Sequence, residues 1–235
     1  MSDILAVNAG YASKIRTIMK LRYEPVAIKL IKDGEDIPGY EKREKQISHC
    51  QAITRARKGE YLKLKPEDFS CHVGSSALNM TETPAGVADG TFHYNLGGFD
   101  SPEAAANLIA DRAEVEDKII GEIVCPLKDA DFEPDVIVII DMPERIYWLI
   151  PLMTGDKGGK ATFSAGAFQC TCEDVTAYPY VMQMPNISLG CYGCRRRTDM
   201  GPEELAAGFP YGMIGSFVER LERMDQSIMQ KAKRD

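Results

Sequence analysis

The sequence predicts a single α/β or α+β domain in which a mixed β-sheet is covered by helices. Three observations carry that expectation. Two apolar runs, at 25–31 and 135–141, are short and dense enough to be buried strands. Segments 8–22 and 212–231 instead place apolar residues at helical spacing. Helix-like and strand-like segments also alternate along the chain without a run of hairpins. No internal repeat, low-complexity tract or Pro/Gly/Ser linker divides the 235 residues, so one domain is expected over 1–235.

Taken in order, 8–22 carries Ala12, Ile15, Ile18, Met19 and Leu21 on one helical face. Pro25 opens a strand to Ile31. Residues 47–59 read as a helix bearing Cys50, Ile53 and Ala56 on one side, with Gly59 as its stop. A short strand at 61–64 leads to the turn Pro66-Glu-Asp, which delivers Cys71. Thr91-Phe-His-Tyr is strand-like, so its His93 reads as structural, and Gly97-Gly98 reads as a turn. Ser101-Pro-Glu-Ala is a helix start, with a capping Ser and Pro at the first position, and the helix is expected to reach about 116. After the strand at 135–141, Pro143 begins another helix. Gly155-Asp-Lys-Gly-Gly-Lys160 lacks the Walker spacing and reads as a mobile loop. A strand and turn are expected within 160–168, a strand at 186–189, a short helix at 202–207 and a terminal helix from 212.

Composition excludes several function classes. A net charge of -7 argues against nucleic acid and anionic membrane as partners. The longest apolar run, 136–142, is broken by Asp141 and is too short to span a bilayer. No basic-then-apolar leader is visible at the start, so a cytoplasmic location is expected. Thiols stay reduced there, and seven cysteines is an odd number, so a static disulfide framework is not expected.

The cysteines carry the chemistry. Cys170-Thr-Cys172 and Cys191-Tyr-Gly-Cys194 lie close together, and the second pair runs into Arg195-Arg196-Arg197. Four thiolates suffice for an iron–sulfur cluster, and four sulfur or nitrogen ligands for structural zinc. The spacing matches neither a two-knuckle zinc ribbon nor the bacterial ferredoxin run, so it points to a metal without naming it. His49 and His72 flank Cys50 and Cys71, Thr171 and the acids after Cys172 suggest a helix start, and Gly190 and Gly193 let the backbone bend around Cys191. Arg195 and Arg196, with Arg197, would offset a negative thiolate cluster or receive an anionic cofactor or substrate. Cys125, before Pro126, reads as a buried, inert thiol.

Several stretches together resemble the uncharacterised archaeal and bacterial ArCR family. They are Pro25-Val-Ala-Ile-Lys29, Cys50-Gln-Ala-Ile-Thr-Arg-Ala-Arg-Lys-Gly59, Asp68-Phe-Ser-Cys71, Cys172-Glu-Asp-Val, and Asn186-Ile-Ser-Leu-Gly-Cys191-Tyr-Gly-Cys-Arg195. The resemblance covers about 10–222 and implies one domain without naming a reaction. It also implies which thiols belong together: Cys50, Cys71, Cys172 and Cys191 look like the family's cysteine signature, with Cys170 and Cys194 as additions. The leading expectation is therefore a [4Fe-4S] cluster on those four cysteines, in a redox or Lewis-acid role. The alternatives are a zinc-stabilised binding module and a metal-free thiol enzyme using Cys191 or Cys194. An anionic small molecule, an electron-transfer partner and self-association into a homo-oligomer remain open as partners.

Overall fold

In the computed structural model, which describes residues 3–232, the first half of the chain runs α1 (Asp3–Met19), β1 (Val26–Lys32), α2 (His49–Ala56), β2 (Leu62–Leu64), α3 (His72–Ala77), α4 (Ala85–Ala88), α5 (Thr91–Asn95) and α6 (Pro102–Ala110). It continues through β3 (Ile119–Pro126), β4 (Val136–Asp141), α7 (Pro143–Ile146), α8 (Leu149–Thr154), a π-helical segment (Cys170–Ala177), α9 (Tyr178–Met182), β5 (Asn186–Ser188), α10 (Tyr192–Arg197), β6 (Leu205–Pro210), α11 (Ile214–Asp225) and α12 (Ile228–Ala232).

The expected domain of helices over a sheet is present. The strand order is β2-β3-β1-β4-β6-β5, and every neighbouring pair is antiparallel. A parallel contact occurs as the single bridge Ile47–Phe69, outside the strands. Because successive strand residues point to opposite faces, the central strands feed two cores. Val26, Ile28 and Leu30 of β1 and Val136, Val138 and Ile140 of β4 pack toward α2 and the π-helical segment. Ala27, Ile137 and Ile139 pack on the other side against Ile15 of α1 and Leu221 of α11. The result is three layers: α1 with α11, the sheet, and a layer of short helices that holds six of the seven cysteines.

Four local expectations are corrected. Residues 202–207 were expected as a helix, but Leu205–Pro210 is strand β6, paired with β4 on one side and β5 on the other. Its small residues are demanded by packing: a Cβ on Gly208 would lie 2.0 Å from the carbonyl oxygen of Val175. Thr91–Asn95 is a helical turn entered from Gly90 at φ 79°, where β-propensity yields to tertiary contacts. The helix from Ser101 ends at Ala110, and 160–168 contains no strand. Strand β3, unread in the sequence, is disguised by Gly121, the buried Glu122 and the terminal Pro126. Among the described residues, no helix is long and apolar enough to cross a membrane.

Candidate functional site

Four segments of the outer helical layer converge on one cavity of about 470 Å³, within the roughly 300–1,000 Å³ range of ligand sites. Cys50 enters it from the first turn of α2, which is held by a reciprocal cap. The Ser48 side chain accepts from Gln51 N, and Gln51 Oε1 accepts from Ser48 N at 2.9 Å. Cys71 precedes α3. Cys172 sits in the π-helical segment, whose Tyr178 N–H reaches back five residues to Glu173 O. Thr171, expected to cap a helix ahead of Cys172, instead lies inside that segment, which Gln169 precedes with a left-handed φ of 74°. Cys191 is itself the N-cap of α10, its Sγ accepting from Cys194 N at 3.4 Å.

The cavity is bordered by Cys50, Cys71, Cys172, Cys191 and Cys194. Cys191 and Cys194 sulfurs are 3.3 Å apart, and a Cβ on Gly74 would lie 3.8 Å from the sulfurs of both Cys71 and Cys172. Cys170 stands behind this wall, within hydrogen-bonding reach of Cys194. Cys125 lies apart, buried in the core under α1, where burial pushes its thiol up. Hydrogen bonds from Cys170 and Cys191 lower the Cys194 thiol. Burial first, and then its sulfur neighbours Cys194, Cys71 and Cys191, raise that of Cys172, against a lowering by Arg112.

The arginine run divides. Arg195 is structural, donating to the backbone oxygens of Gly201, Leu189 and Glu204 at 2.5, 2.5 and 3.0 Å. Arg196 and Arg197 border the cavity, Arg196 over the ring of Tyr192. Behind Cys50, the buried His49 places Nδ1 2.7 Å from Glu122 Oε2 and Nε2 3.0 Å from Thr176 Oγ1. His93, read from the sequence as structural, is buried and lines the cavity with Phe92, Phe168 and Gln169. Sequence reasoning missed Gln169, Arg112 and Gly74, because their place depends on contacts between distant segments.

No group of three or more His, Cys, Asp or Glu side chains among the described residues is arranged to hold a metal ion. Cys50, Cys170 and Cys191 all stand within hydrogen-bonding reach of Cys194, and Cys71 and Cys172 line the same cavity.

A family model for DUF169, described as uncharacterised ArCR, matches residues 14–220. An uncharacterised protein of Methanocaldococcus jannaschii, MJ0308, is 33% identical over 218 residues, covering 92% of this chain and 94% of the relative. No solved structure matches.

Proposed function

The chain belongs to the DUF169 family, and from that premise we propose that it is a cytoplasmic iron–sulfur protein carrying one [4Fe-4S] cluster on Cys50, Cys71, Cys172 and Cys191. The observation that supports this reading most is that these four thiols, drawn from four separate segments, border a single cavity. The residues fit such a group in two respects. Thiolates are the donors that iron–sulfur clusters take. Gly74 also leaves open the space between Cys71 and Cys172 that a side chain would fill.

When bound, the cluster supplies one-electron transfer, or an iron that acts as a Lewis acid. The chain's own residues do the rest. Arg112, beside Cys172, offsets negative charge on the thiolates. Arg196 and Arg197 draw an anionic molecule, or the acidic face of an electron-transfer partner, to the cavity. Cys194 stands as a fifth thiol next to Cys191.

Protein purified without oxygen is expected to be brown, with broad visible absorption and about four iron and four sulfide per chain. Colourless protein lacking iron and sulfide would overturn the reading. The 3.3 Å approach of Cys191 to Cys194, whose thiol is lowered by hydrogen bonds from Cys170 and Cys191, supports a second reading, a metal-free dithiol enzyme. That reading predicts one fast-alkylating cysteine in iron-free protein.

A further inference from the structure

Six buried side-chain polar atoms among the described residues lack a hydrogen-bond partner, and three of them belong to one group of neighbours: Gln169 Nε2, His93 Nδ1 and Arg112 Nη2. Gln169 and His93 line the sulfur cavity beside Cys172. Arg112 lies behind them, its Nε donating to Gln169 Oε1 at 2.6 Å. A guanidinium only donates, so this contact fixes the amide: oxygen toward Arg112, NH2 turned away as an unmet donor. The His93 ring sits 4.8 Å from that of Phe168 and 5.2 Å from that of Phe92. The nearby Glu173 carboxylate is already engaged, accepting from Ala113 N at 3.0 Å. Buried polar groups in folded proteins nearly always have partners, so three neighbouring unpartnered polar atoms, two of them on residues that line the cavity, call for a polar group beside them.

We propose that this wall is a subsite for a small organic carboxylate. One carboxylate oxygen accepts from Gln169 Nε2 and the other from His93 in its Nδ1–H tautomer, while Arg112 supplies positive potential from behind. Both atoms are shielded from water, so binding requires the Gln169 and His93 side chains to turn into the cavity. Phe92 and Phe168 line the cavity and offer apolar contact to a planar body, and Arg196 and Arg197 on the same cavity favour an anion over a neutral or cationic analogue. The subsite stands on the cavity wall and goes beyond the reading of the thiols; it requires nothing of what they hold.

The test is calorimetric titration of anaerobically purified protein with benzoate, and with benzyl alcohol as its uncharged counterpart. Benzoate is expected to bind once per chain and more tightly than benzyl alcohol. Q169L should weaken it by about ten- to a hundredfold, the scale of a lost charge-assisted hydrogen bond. Q169E, which faces the ligand with acid, should abolish binding. H93F keeps the ring stacking and removes only the donor, so it should also weaken benzoate if Q169L proves unstable. Absent binding, equal binding of benzyl alcohol, or wild-type affinity in both Q169L and H93F overturns the proposal. Iron measured on the same samples separates the two ideas. Iron-free protein that binds benzoate upholds the subsite and removes the cluster, whereas iron-loaded protein indifferent to benzoate does the reverse.

Discussion

Gly74 has no side chain at a point 3.8 Å from both the Cys71 and the Cys172 sulfur. A methyl group there meets neighbours only at ordinary contact distance, so the fold tolerates it, while the space between the two thiols is lost. G74A is accordingly expected to keep the wild-type thermal midpoint when both proteins are iron-free, and to weaken retention of iron by about ten- to a hundredfold, the effect typical of residues that support metal ligands. Iron release to a chelator measures it, and unchanged release would mean the cavity does not hold the metal. Cys125 supplies the opposite case. Buried in the core under α1 with its thiol pushed up, it should react more slowly than the partly exposed Cys71 in a timed alkylation followed by peptide mapping. At this scale the sequence was informative about the thiols, since sulfur is rare and its spacing is visible. It could not separate Arg195 from Arg197, because which guanidinium turns inward depends on the carbonyls of Leu189, Gly201 and Glu204.

Among the elements, α2 and β6 bind the sulfur layer to the sheet. Arg57, just after α2, is buried beneath Tyr23 and donates to both Glu204 oxygens at 3.1 and 3.0 Å and to Asp199 Oδ1 at 3.2 Å. Removing it leaves the Glu204 carboxylate, only 1% exposed, with the Gly201 N–H at 2.9 Å and the more distant Arg22 at 3.8 Å. R57L is expected to lower stability by about 3–5 kcal/mol, the usual cost of breaking a buried pair, read by urea denaturation. G208A drives a methyl into the Val175 carbonyl, forcing β6 and the π-helical segment apart. It should cost about 1–3 kcal/mol by the same assay, as overpacked sites do. The long amphipathic helices and the apolar strands β1 and β4 were legible because burial on one face writes a period into the sequence. The Ala-Ala-Gly of β6 and the Gly-Glu pair of β3 were not, since small residues there answer to the backbone packed above, and the Glu122 carboxylate to His49.

For the whole molecule, the sheet acts as a partition. One face carries α1 and α11 over an aliphatic core that includes Cys125, and the other carries the remaining six thiols in a layer of short helices, two of them capped by Ser48 and by Cys191. Short helices are marginal on their own, so a group bound among them should stabilise the layer by mass action. Removing iron with a chelator is therefore expected to lower the thermal midpoint, with urea midpoints following. The convergence of distant cysteines on one cavity lay beyond spacing; family resemblance grouped four of them, and those four line the cavity together with Cys194. The measurement that tests this account most directly is the iron-to-protein ratio of anaerobically purified wild type set beside C50S, C71S, C172S, C191S and C125S. The account predicts about four iron per chain in wild type and C125S and a marked loss in each of the other four. Iron absent from wild type, or retained in full by all four variants, would contradict it.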